Sequence, residues 1–186
     1  MTVEVQTPGG PKSGSAVQEL VLWRQRLIPL PGAGGSDWGG GYSAYGEAPF
    51  VDLGNGAVLF TTLHDRQYSY QHEITSVALK GLHVFELRKR FPDSDTRILN
   101  ELIKTKPLNV LKREHYPMLA IFTDMTEPKS LVEVSPDNLA ARFGPGVTLD
   151  RITFQAVDRT TPLTTAVTGR FPALAKQRGL LTLPPD

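Results

Sequence analysis

Val3 and Val5 alternate with polar neighbours, residues 8–14 are Pro, Gly, Lys and Ser, and residues 16–23 are again mostly apolar. Period-two patterning on either side of turn formers predicts a hairpin with a long loop. A second hairpin is marked more sharply. Phe50-Val51-Asp52-Leu53 and Ala57-Val58-Leu59-Phe60 flank Gly54-Asn55-Gly56, and Asn-Gly supplies the positive φ angles that a tight turn needs. Between Ile74 and Arg90 the apolar positions fit neither period, and a short helix is expected there. Asp93 or Ser94 caps a further helix whose apolar stripe is Ile98, Leu99, Leu102 and Ile103, with Pro107 beyond its end. The continuous apolar run 118–123 predicts a central strand buried on both faces.

Residues 131–134 read as a strand, and Ser135, Pro136 and Gly144 frame a helix as N-cap, first position and stop. From Val147 to Val157 the apolar parity switches, which calls either for a bulge near Asp150-Arg151 or for burial of both faces, the bulge being the preferred reading. Two stretches lack periodicity. Residues 29–46 are too rich in glycine for a regular element and read as a loop. Residues 158–186 carry four prolines and read as an extended tail laid over the body. The expected architecture is a single α+β domain over 1–186, an antiparallel hairpin sheet with two or three helices packed on it.

Composition narrows the function classes more than it selects one. The 186 residues hold 20 basic against 19 acidic side chains, too even a balance to grip nucleic acid or anionic lipid. No window approaches the ~20 apolar residues of a membrane-spanning helix. With no cysteine, there is neither a disulfide framework nor a thiolate site. The opening Met1-Thr2-Val3-Glu4-Val5 is an alternating strand without the basic and apolar regions of a secretory signal.

Candidate chemistry is sparse. Nucleophile-elbow, phosphate-loop, metalloprotease and EF-hand spacings are all absent from the sequence. His64, Asp65, His72 and Glu73 are ligand types that zinc or non-haem iron takes, so a metal-dependent hydrolase is one reading. They sit in a polar stretch with no spacing that brings them together, and a solvated loop is the plainer reading. No cofactor is expected. For recognition of another protein or a small ligand, the candidates are Trp38, Tyr42 and Tyr45 beside the glycines, with Tyr68 and Tyr70 beyond the second hairpin. Rigid amphipathic aromatics give contact area at low entropic cost. The plainer alternative is that they tack the loop to the body.

Three segments, 2–17, 45–56 and 134–153 with its continuation into Pro162-Leu163-Thr164-Thr165 and Arg170-Phe171-Pro172, resemble a group of small bacterial proteins of unknown function. Many of that group begin with a lipoprotein-type or secretory leader. The resemblance implies no activity and no catalytic residue; it implies a periplasmic or cell-envelope setting if a leader has been removed, and a cytoplasmic one otherwise. The leading expectation is a non-enzymatic envelope or accessory binding domain. A metal hydrolase and a prophage or immunity-type protein are the alternatives.

Overall fold

The computed structural model describes residues 1–26, 38–65, 74–91, 94–176 and 179–183, with the side chains of 24–26, 38–40, 64 and 65 outside the description. Among the described residues, eleven strands form three antiparallel sheets joined by six helices, an α+β fold. No described helix is long and apolar enough to cross a membrane.

The first sheet has the order β2-β1-β10-β7, from Gly10–Ser15, Thr2–Thr7, Thr148–Phe154 and Asn109–Val110. Val3 and Val5 point into the core from β1. Facing them, β10 carries the bulge that its parity requires. Glu4 pairs with Arg151 but Val5 pairs with Leu149, so Asp150 is the extra residue. Leu149 and Ile152 therefore reach the same buried face although three positions apart.

The expected long loop is corrected here: residues 10–15 are themselves strand β2, paired with β1 across a turn at Pro8-Gly9. Pro11 and two glycines hide it, and they are tolerated because β2 is an edge. Gly14 has a further reason to lack a side chain, since a Cβ there would lie 1.7 Å from the Phe50 carbonyl oxygen.

The third sheet, β5-β6-β8-β9, comprises Phe50–Gly54, Ala57–Asp65, Pro117–Phe122 and Leu131–Val134. Its Asn55-Gly56 turn has φ of 52° and 78°, as the hairpin signal requires. Strand β8 lies between β6 and β9, with Leu119, Ala120, Ile121 and Phe122 all buried. Phe60 stands at the centre of an aromatic cluster, with its ring 5.3 Å from Phe122, 5.2 Å from Phe171 and 5.6 Å from Phe50.

The second sheet, β11-β4-β3, overturns the reading of 29–46 as a loop over its described part. Trp38–Glu47 is strand β4, paired residue for residue with β3, Gln18–Arg26, while β11 is Thr182–Leu183. Pairing along nine positions offsets the entropy that ordering the glycines costs. Gly41 lies opposite Trp23, and a Cβ there would meet the indole at 3.1 Å, so glycine leaves the ring its place.

The 74–90 segment is two helices, α1 (Ile74–Gly81) and α2 (Val84–Arg90), broken at His83, whose φ is 56°. Helix α3, Asp95–Thr105, is capped by the Ser94 side chain as expected. The helix expected from Ser135 shrinks to one turn, α4 (Ala140–Phe143). The Ser135 carbonyl closes a turn to the Asn138 amide, and the Asn138 side chain caps the Ala141 amide. The tail is likewise corrected: it contains α5 (Ala166–Arg170), α6 (Pro172–Ala175) and β11, and it buries Val167, Phe171, Leu174 and Leu181. Pro172 stands in the first turn of α6, where a missing N–H costs nothing. Residues from all three sheets, α1 and this C-terminal segment share one core cluster.

Candidate functional site

Helix α3 presents the four apolar residues expected of it, but they face two different surroundings. Ile98 and Leu102 are buried with Val84 in a small satellite core. Leu99 and Ile103, one helical turn apart, are half-buried, belong to neither core cluster, and line a cleft of about 520 Å³. Leu20 and Val21 of β3 line it as well, as do Phe154 at the end of β10 and Leu163. The packing of α3 thus buries Ile98 and Leu102 and leaves Leu99 and Ile103 half-covered beside the cleft.

The segment 155–164 frames the cleft and is held at both ends. At α3, Gln155 Nε2 donates to the Lys106 carbonyl at 2.8 Å, Lys106 Nζ donates to Asp158 at 2.7 Å, and Arg159 donates to the Asn100 side chain at 3.0 Å. At the other end, the Thr164 amide donates to the Val17 carbonyl at 3.2 Å, and the Val17 amide donates to Thr164 Oγ1 at 2.8 Å. Among the described lining residues there is no histidine, serine or lysine. What these walls offer a ligand is apolar contact, strand backbone, the amides of Gln18 and Gln155, the carboxylates of Glu19 and Asp158 and the guanidinium of Arg159.

The aromatic candidates fall elsewhere. Trp38 opens β4 opposite Arg26, and its side chain is outside the description. Tyr42 and Tyr45 lie three apart on β4 and so point to opposite faces. Neither lines the cleft. Tyr42 packs against the satellite core, its hydroxyl buried beside Arg88 and Asp95 without a hydrogen bond of good geometry. Those two side chains form a bidentate pair, with Arg88 Nε and Nη2 each 3.1 Å from a carboxylate oxygen. Burial, and after it the negative charge of Asp95, pushes the Tyr42 phenol above its usual pKa, with Arg88 opposing. Tyr68 and Tyr70 lie outside the described residues.

His64 and Asp65 end strand β6, with side chains outside the description, and His72 and Glu73 lie outside it altogether. Among the described residues no three histidine or carboxylate side chains gather where a metal ion could be held.

Sequence reasoning found the apolar stripe of α3 but not the cleft, because the opposite wall comes from strand β3, some 80 positions earlier in the chain. No family model, curated protein or solved structure matches this chain.

Proposed function

We propose that this protein is a non-catalytic accessory binding domain and that the cleft between β3 and α3 is its ligand site. The observation that carries the reading is the exposure of Leu99 and Ile103 to a space of about 520 Å³, a volume typical of small-ligand and side-chain pockets. Apolar surface of this kind, framed by a segment tied down at both ends, is preorganised for contact with a ligand. The cell-envelope setting is supported by the resemblance of the three segments and not by any contact within the fold.

An uncharged apolar fluorophore, N-phenyl-1-naphthylamine, tests the site. Titrated into the full chain it is expected to give a saturable one-to-one rise in emission. Leu99→Glu and Ile103→Glu, both at half-buried positions, are expected to weaken binding at least tenfold while far-UV circular dichroism and melting temperature stay near the parent's. Binding that ignores both substitutions, or no saturable binding at all, overturns the proposal.

A further inference from the structure

Resting on that reading of the cleft, we infer that its occupant is an extended segment of another protein, added to β3 as a further strand. Strand β3 stands at the edge of its sheet, and among the described residues β4 is the only strand paired with it. An edge strand leaves a row of N–H and C=O groups without sheet partners, which a second backbone satisfies and a small apolar molecule does not.

Which part of β3 faces the cleft bears on this directly. Residues that share one face of a strand alternate along it. Here the consecutive residues 16–21 all line the space, which makes the backbone edge itself part of the wall. The chain already satisfies this edge one residue ahead of β3, since the Thr164 amide donates to the Val17 carbonyl and the Thr164 hydroxyl accepts from the Val17 amide. An added strand continues that contact along Gln18–Val21.

The opposite wall fits the side chains of such a strand. Leu99 and Ile103 are separated by four residues of helix, about 6 Å along its axis. Alternate side chains on one face of a strand repeat at about 7 Å. Two apolar side chains of the incoming segment can therefore each meet one of these residues. Glu19 is exposed among the lining residues and has no ion-pair partner among the described residues, whereas Arg159 is held by the Asn100 side chain. The segment that fits best thus alternates apolar with polar residues and carries a lysine or arginine near its end.

A fluorescein-labelled peptide, Lys-Thr-Val-Thr-Val-Thr-Val-Lys, serves as the probe in anisotropy titrations with the full chain. Two further peptides carry the same side chains, with alternate backbone amides N-methylated in either of the two possible phases. The unmodified peptide is expected to bind saturably, and one of the two methylated phases to bind at least tenfold more weakly, because only one phase turns its N–H groups toward β3. Leu99→Glu is expected to weaken the unmodified peptide by a similar factor. Equal binding of all three peptides overturns strand addition. If the naphthylamine binds and the peptide does not, strand addition fails while the cleft remains a ligand site. If neither binds, both readings fail. Self-association of the chain that the peptide competes away makes a second copy the occupant and overturns the inference of a foreign partner.

Discussion

Tyr42 shows how a residue's neighbours across the fold reverse what its neighbours in sequence imply. Beside a run of glycines it reads as an exposed recognition aromatic; in the fold, α2 and α3 supply the Arg88–Asp95 pair that its hydroxyl lies against, and nothing local announces them. A phenol whose folded pKa is raised adds stability that is fully present below the unfolded value near 10 and is lost as pH rises through the folded value. Tyr116 is shifted the same way, chiefly by burial, and so adds to the alkaline destabilisation. Tyr42→Phe is expected to lie within about 1 kcal/mol of the parent at neutral pH, because no well-formed hydrogen bond is lost. It should also show a shallower fall in stability above about pH 10. Urea denaturation at pH 7 and pH 10.5 checks both points, and a neutral-pH loss well beyond that margin would show that the hydroxyl is paired after all. Leu99 and Ile103 make the complementary case. Their periodicity was readable in the sequence, but which half of the stripe the core would leave uncovered depended on β3.

Among the elements, those legible in the sequence are specified by chemistry within a few residues. The Asn55-Gly56 turn, the Ser94 cap and the Asp150 bulge each follow from local conformational preference or from parity against a buried face. Strands β2 and β4 are different, since Pro11 and the glycines of β2 and the glycine run of β4 oppose strand formation and pairing with β1 and β3 makes them strands. The short helices α5 and α6 were hidden for a related reason: prolines that open or flank a helix look like breakers when no periodicity accompanies them. Gly14→Ala probes how tightly such an element is held. The new Cβ would meet the Phe50 carbonyl, which is backbone and cannot swing aside, so β2 and β5 must separate. A loss of about 3 kcal/mol is expected, at the upper end for overpacking. Gly169→Ala in α5, where a Cβ has open space, should instead gain about 0.5 to 1 kcal/mol. Chemical denaturation of the pair gives the comparison, and a Gly14→Ala protein as stable as its parent would contradict the close crossing of β2 and β5.

Across the whole molecule, the C-terminal segment is fastened to the earlier strands at several points. The buried Glu47 carboxylate caps α5, accepting from the Val167 amide at 2.6 Å, the Thr168 amide at 3.2 Å and the Thr168 hydroxyl. Arg170 pairs with Asp52 and lies over the rings of Phe50 and Phe171, 5.5 and 5.3 Å from their centres. Thr182 and Leu183 pair with Glu47 and Gly46 of β4. Glu47→Ala strands the Val167 and Thr168 amides without acceptors and is expected to cost about 2 to 3 kcal/mol, with Glu47→Gln intermediate. Thermal melts measure the loss, and limited proteolysis should cut first within 166–183. An unchanged melt and an unchanged cleavage pattern would mean that the cap is dispensable. The same fastening governs when the protein can fold as it is made. While residues 166–183 are still inside the ribosome, Phe60 lacks the Phe171 ring that packs on it, and Glu47 has no helix to cap. The hairpins made first must wait with their apolar faces uncovered until residues 166–183 emerge, and a holding chaperone has its clearest opportunity in that interval.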